Sequence, residues 1–158
     1  MKNTHFFLGA NSAEGFYSLY DQLLDAGLYD LMILKGGPGC GKSTFMRRMA
    51  GALEEYGVET ASIHCSGDPD SLDAVIFPSI RRAVVDGTAP HVLEPRYMAA
   101  RERYVDLSPC YDVARAKAAA EKIVACSDAY RASYREAYHV LRALGSVDEE
   151  RRAVVCAA

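Results

Sequence analysis

The sequence predicts an α/β fold with a mainly parallel sheet and a long C-terminal helix. An apolar run from Leu31 to Leu34 has the character of a strand that is covered on both faces, as the strands of parallel sheets are. A glycine-rich turn follows this run, and apolar residues at helical spacing follow the turn. A second and longer helical pattern extends from about Asp112 to Leu144. Strands followed by helices are typical of α/β domains.

Length and composition bound the kind of protein. With 158 residues, half of them hydrophobic, the chain can bury one good-sized core, so we expect a single domain over residues 1–158. A formal charge of −3 gives no general attraction to nucleic acid or to an anionic membrane, and we expect neither as a partner.

Targeting signals and cysteine spacing indicate the compartment. The apolar burst Phe6 to Leu8 is too short for a signal-peptide core, and no stretch approaches a membrane span. The five cysteines include no C-x-x-C pair. We therefore expect free thiols in a cytoplasmic protein.

The first third of the chain divides into alternating elements. Ser12 is a plausible N-cap for a helix that ends near Gly27. The pattern then predicts a strand over Tyr29 to Leu34, a helix from about Lys42 to Tyr56 and a strand over Val58 to Cys65.

The rest of the chain is less regular. Leu72 to Pro78 fits either a strand or a buried turn, while Ala83 to Val85 fits a short strand. The segment Arg96 to Asp112 is either a mobile cover that offers an arginine to transferred charge or a solvated connector. Gly145 is expected to break the long helix, and Val147 to Ala158 has the apolar character of an incoming strand.

The turn after the first strand carries the clearest motif. Gly36, Gly41, Lys42 and Ser43 match the spacing G-x-x-x-x-G-K-[ST] of a phosphate-binding P-loop. Glycines let main-chain N–H groups approach an anion closely, and the N-terminus of the following helix also favours negative charge. Lys42 is expected to reach the β and γ phosphates, and the Ser43 hydroxyl to bind Mg²⁺. The predicted nucleotide contacts are Gly36, Gly37, Pro38, Gly39, Cys40, Gly41, Lys42, Ser43 and Thr44.

Asp86 follows the short apolar run Ala83 to Val85. A second magnesium ligand is expected from an acidic residue that leaves a strand beside the P-loop strand. We therefore predict Asp86 and Ser43 as the metal ligands. Lys42 and Asp86 are the predicted catalytic residues. The alternative is an ordinary Asp-Gly turn. Gly87 occupies the position where a water-activating glutamate often follows such an aspartate. Thr88 and His91 are equally credible as ligand contacts and as loop residues.

A second polar cluster spans His64 to Asp73. Ligands of open α/β sheets bind outside the carboxyl ends of the strands, so Asp68, Asp70 or Asp73 could assist Mg²⁺, position water or hold an acceptor. The alternative is a turn closed by the Asp-Pro-Asp sequence.

These motifs together support a family resemblance. Gly36 to Ser43 resembles the loop of P-loop nucleoside triphosphate hydrolases. With His5 to Gly9, Lys35 to Thr44, His64 to Asp73 and Asp86 to His91, the chain resembles a group of bacterial P-loop ATPase-like proteins. Members of that group are longer and carry a second P-loop-like half. The resemblance implies a three-layer α/β fold of the P-loop NTPase type, ATP as ligand, and a chain that corresponds to the N-terminal half of a longer protein.

Several subfamilies are disfavoured. The sequence has no Asn-Lys-x-Asp or Thr-Lys-x-Asp motif, so ATP is favoured over GTP, and it has no Leu-Ser-Gly-Gly-Gln stretch of transporter ATPases. In partitioning ATPases a signature lysine stands at the position of Gly37, so Lys35 is misplaced for that role.

Three uses of the loop stay open at this point. The chain is an Mg²⁺-dependent ATP hydrolase or nucleotide switch, a kinase that passes the γ phosphate to a small molecule or nucleotide, or an ATP-binding partner module with little turnover. The small-molecule or protein partner is unknown from the sequence.

Overall fold

A computed structural model describes residues 3–24 and 30–156. In this part of the chain the strands are β1 (Thr4–Phe6), β2 (Gly9–Ser12), β3 (Gly15–Ser18), β4 (Asp30–Lys35), β5 (Ala61–His64), β6 (Leu72–Phe77), β7 (Arg82–Asp86) and β8 (Glu102–Asp106). The α-helices are α1 (Lys42–Glu55), α2 (Val113–Ala118) and α3 (Ala120–Cys156), and single 3₁₀ turns cover Tyr20–Leu24, Pro78–Ile80 and Ser108–Cys110. The class is therefore mixed α/β, as predicted.

The described residues divide into two compact units. The first lies within Met1–Ala10 and Ser18–Tyr111 and contains the main sheet, and the second lies within Asn11–Tyr17 and Asp112–Ala158 and contains the long helix α3. All predicted nucleotide and metal contacts belong to the first unit.

The main sheet has six strands in the order β1-β5-β6-β7-β4-β8. Only β6 is antiparallel to its neighbours among these strands, and the other pairs are parallel. In the β4–β7 pair, Ile33 lies opposite Val85 and Leu34 opposite Asp86. The carboxyl ends of β4, β5 and β7 therefore share one edge of the sheet with the amino end of β6.

The core lies between the sheet and α1. Leu34, Val75 and Val84 of the sheet pack with Met46 and Ala50 of α1, and all five are buried. Burial of one such large apolar side chain stabilises a fold by about 1.5–3 kcal/mol. The predicted helix after the glycine turn is confirmed, and its other apolar residues pack against the same cluster: Phe45, Met49 and Leu53.

The predicted N-terminal helix is wrong. Its first half forms the hairpin β2–β3, and its second half is the 3₁₀ turn Tyr20–Leu24. The Ser12 hydroxyl donates to Gly15 O at 2.8 Å and accepts from Glu14 N at 3.2 Å, so it closes the hairpin turn and caps no helix. Gly15 adopts φ +118°, a conformation that favours glycine and reverses the chain. Gly27 and Tyr29, which the predictions also used, lie outside the described residues.

The structure also decides between the alternatives for the segments on either side of Asp86. Leu72–Phe77 is a strand that is buried at every position. It lies between β5 and β7 and is antiparallel to both. The predicted connector Arg96 to Asp112 contains the edge strand β8, parallel to β4. Only one of the five β8 residues is buried. Main-chain hydrogen bonds to β4, and not the burial of apolar side chains, therefore hold this strand in place.

The second unit corrects two predictions about the C-terminus. Helix α3 continues through Gly145 to Cys156, so Gly145 does not end it and Val147 to Cys156 is not a strand. A Cβ at Gly145 would lie 2.7 Å from Ala13 Cβ, which explains a glycine inside a helix. The Tyr138 hydroxyl donates to Asn11 Oδ1 at 2.6 Å beside it.

Two further expectations concern cysteines and membranes. The described cysteines, at 40, 65, 110, 126 and 156, are all free thiols. No helix within the described residues is both long enough and apolar enough to cross a bilayer.

Candidate functional site

The predicted phosphate loop connects β4 to α1 at the carboxyl edge of the sheet. Gly39 and Gly41 have φ of +81° and +92°, the left-handed region that glycine adopts without strain. A Cβ on either residue would meet no atom within 4 Å, so the loop presents an open face there. Phe45 N donates to Gly41 O at 2.8 Å as the first bond of α1. The preceding N–H groups of such a helix have no partner inside it and attract anions.

Lys42 points back into this loop. Its Nζ donates to Gly36 O at 2.5 Å and to Gly37 O at 3.1 Å, and its side chain is only 10% exposed. The same ammonium lies 3.5 Å from Asp86 Oδ2. The cation therefore lies on the inner side of the glycine turn with one carboxylate beside it.

Ser43 connects the start of α1 to the start of strand β6. Its Oγ accepts a hydrogen bond from Leu72 N at 3.0 Å. A hydroxyl oxygen has a second lone pair, so this contact leaves Ser43 able to bind a cation. Thr44 follows in the first turn of α1 and is exposed.

Asp86 ends β7, the strand directly beside β4. Its Oδ1 accepts from Thr88 N at 2.9 Å and from Thr88 Oγ1 at 2.6 Å, which leaves Oδ2 directed toward Lys42. The predicted placement of an acidic residue next to the loop strand is confirmed, and its role as a metal ligand stays a prediction. Thr88 acts here as the partner that orients Asp86.

Among the acidic residues of the second polar cluster, Asp73 lies at this edge. Asp68 accepts from the Ser71 hydroxyl at 2.6 Å and closes a turn, as the alternative interpretation predicted. Asp73 is 5% exposed, and its Oδ2 accepts from the Tyr20 hydroxyl at 2.9 Å. Burial raises the pKa of Asp73, against the lowering effect of His91 and of the Tyr20 hydrogen bond. Burial and the Asp73 carboxylate together raise the pKa of Tyr20 as well.

His91 completes this buried group. Its ring stacks on Tyr20 with centroids 4.4 Å apart, and its Nε2 lies 3.9 Å from Asp73 Oδ1. One ligand atom from each of Asp73, Asp86 and His91 lies within 4.8 Å of the others. The sequence had suggested each of the three separately, but it contained no signal that would bring them together.

Two tyrosines near the loop were missed by sequence reasoning. Tyr20 lies in the segment that the sequence predicted to be the N-terminal helix, and it contacts both Asp73 and His91. Tyr111 donates its hydroxyl to Pro38 O at 3.0 Å and would lie 2.8 Å from a Cβ on Gly37. Tyr111 therefore covers one side of the loop, and a side chain at position 37 would require its hydroxyl to shift.

Gly87 and Lys35 fix the position of the segment that follows β7. A Cβ on Gly87 would lie 2.3 Å from Ile33 Cγ2, so a glutamate cannot occupy this position without moving the core. Lys35 Nζ donates to Gly87 O at 2.8 Å, to Leu93 O at 3.1 Å and to Glu94 Oε1 at 2.9 Å. Lys35 thus holds the segment after β7 against β4, in keeping with its exclusion as a signature lysine.

Two arginines of the segment Arg96 to Asp112 lie away from the phosphate loop. Arg101 O accepts from Leu31 N at 2.9 Å, which places Arg101 near the amino end of β4, at the edge opposite the loop. Arg103 lies opposite Met32 in the middle of β8 and is exposed. Cys40, by contrast, lies close to the lysine, with its Sγ 4.0 Å from Lys42 Nζ.

Comparisons with family models, with curated proteins and with solved structures found no match for this chain.

Proposed function

We propose that this chain is a P-loop nucleotide-binding protein of three-layer α/β type that binds ATP with Mg²⁺ and acts as a hydrolase or nucleotide switch. In this proposal the main-chain N–H groups of the loop residues 36, 37 and 39–41 and the Lys42 ammonium hold the phosphates. Ser43 and Asp86 hold Mg²⁺, which when bound neutralises negative charge on the phosphates. Cys40 and Thr44 contribute main-chain N–H groups, whereas Pro38 has none and stiffens the turn of the loop.

One observation carries the proposal. The Lys42 ammonium lies inside a glycine turn at the carboxyl edge of the sheet, 3.5 Å from a carboxylate at the end of the adjacent parallel strand. Ligands of open α/β sheets bind at this edge. The lysine cation and the helix N-terminus are suited to bind phosphate oxygens, and the carboxylate is suited to bind a metal ion.

The donor set fits the proposed ligand. The open faces at Gly39 and Gly41 leave room for phosphate oxygens to approach the backbone. Ser43 and Asp86 offer only oxygen atoms, which Mg²⁺ prefers. Position 87 is a glycine and therefore offers no carboxylate to activate the attacking water. For this reason a slow hydrolase or switch fits the site better than a fast hydrolase.

The hydroxyl of Ser43 provides the first test. Ser43→Ala is expected to weaken Mg²⁺-dependent ATP binding about 10-fold or more, because it removes a metal ligand. Ser43→Thr retains the hydroxyl, including the acceptor for Leu72 N, and is expected to bind as the wild type does. Isothermal calorimetry of both variants, with and without Mg²⁺, measures the difference. Equal Mg²⁺ dependence in Ser43→Ala and wild type would contradict the role given to Ser43.

Turnover then separates the three uses of the loop. ADP release from ATP that needs no acceptor supports a hydrolase or switch, whereas release that appears only with an added acceptor shows a kinase. Tight ATP binding without ADP release shows a binding module. If wild-type protein takes up no ATP in the presence of Mg²⁺, the proposal fails as a whole.

A further inference from the structure

Asp73, Asp86 and His91 converge on one buried point from separate elements. Asp73 stands at the start of β6, Asp86 at the end of β7, and His91 in the segment after β7. Their ligand atoms lie within 4.8 Å of one another. Ligands on opposite sides of one metal ion lie about 4.2 Å apart, since each bond is about 2.1 Å long. Small side-chain rotations therefore bring all three atoms to bonding distance of a shared ion.

Other residues hold the two carboxylates in position. Asp73 Oδ2 is bound by the Tyr20 hydroxyl, and Asp86 Oδ1 is bound twice by Thr88. Each carboxylate thus has one oxygen fixed by a neighbour outside the group. The remaining oxygens face His91 in the case of Asp73 and Lys42 in the case of Asp86. Metal sites use such outer hydrogen bonds to orient their ligands.

The members of the group lie close together where little water reaches them. His91 Nε2 lies 3.9 Å from Asp73 Oδ1. Asp73 and His91 are each only 5% exposed. Two carboxylates held close together in such surroundings repel each other, and a divalent cation between them removes that repulsion.

We propose that Asp73, Asp86 and His91 form a binding site for a divalent transition-metal ion of the Mn²⁺ type. A carboxylate pair suits Mn²⁺ as well as Mg²⁺, but an imidazole nitrogen favours a transition metal. Three protein ligands leave further positions for water. The site needs no nucleotide, so it goes beyond the proposed function, with which it shares only Asp86.

Electron paramagnetic resonance of the full chain with Mn²⁺, without nucleotide, tests this site. We expect one bound Mn²⁺ per chain, with nitrogen coupling from the His91 ring in the wild-type spectrum. Asp73→Asn and His91→Gln are expected to weaken Mn²⁺ binding at least about 10-fold. Asp70→Asn removes an exposed carboxylate of the same polar cluster and is the matched control, with affinity unchanged.

Three results would overturn the proposal: no Mn²⁺ bound by wild type, a bound ion without nitrogen coupling, or displacement of Mn²⁺ by an equal concentration of Mg²⁺. The wild-type spectrum decides the matter even if a variant fails to fold. Lys42→Ala separates the two proposals, because it should lose ATP while it retains Mn²⁺. ATP binding without any Mn²⁺ site would refute this inference and leave the proposed function standing.

Discussion

Lys42→Ala is expected to lower the affinity for ATP by about 100-fold or more in the presence of Mg²⁺. The Lys42 side chain is 10% exposed and its ammonium lies inside the loop, where little water competes with phosphate oxygens. A charge-assisted hydrogen bond in such a place contributes about 1.5–3 kcal/mol, so the loss of two accounts for the expected factor. Calorimetry with ATP and Mg²⁺ measures it directly.

Arg47→Ala is the matched control for this variant. Arg47 stands in the same helix, α1, and is exposed, so its removal changes the net charge equally and leaves the loop untouched. We expect wild-type affinity for ATP in this control. An equal loss in both variants would mean that general electrostatic attraction, and not a specific clamp at position 42, holds the nucleotide. Thermal unfolding should be followed in parallel, because Lys42 also neighbours Asp86.

Gly87→Ala is expected to destabilise the protein by about 1–3 kcal/mol, because overpacking of a rigid core forces backbone and side chains to shift. The added Cβ would lie 2.3 Å from Ile33 Cγ2, and Ile33 is fully buried in strand β4, between β7 and β8. Gly87 N also donates to Leu34 O at 3.0 Å, so the residue cannot easily move away from that strand. Urea unfolding measures the change in free energy.

Gly51→Ala makes the same chemical change where space is available. Gly51 lies in α1, and a Cβ there would meet no atom within 4 Å. Alanine favours a helix over glycine, so this control should stabilise the protein by about 0.5–1 kcal/mol. Wild-type stability in Gly87→Ala would show that β4 and the segment after β7 are packed less tightly than described.

Local sequence features predicted the parts of the site that a few neighbouring residues determine. The apolar run of β4, the glycine turn and the helix from Lys42 all lie where the pattern placed them. The position of Asp86 beside β4 also followed from a short apolar run that ends in an acidic residue. Each of these features depends on strand alternation, helical period or glycine torsion angles, which act over short stretches.

The prediction failed where hydrogen bonds between distant segments decide the structure. The edge strands β1 and β8 were missed, since they are short and largely exposed and their pairing partners are far away in the sequence. The N-terminal hairpin was mistaken for a helix, because its apolar residues happen to fall at helical spacing. The antiparallel direction of β6 had no signature in the sequence.

The sequence by itself determined that this chain has an α/β fold with a glycine loop, a lysine and a hydroxyl at the start of a helix. Only the tertiary structure decided that Asp73 and His91 join Asp86, and that Tyr20 holds Asp73 from 53 residues away. The physical reason is the range of the forces involved. Torsion preferences and helical period act between near neighbours, whereas the grouping of buried polar side chains depends on how the whole sheet is assembled.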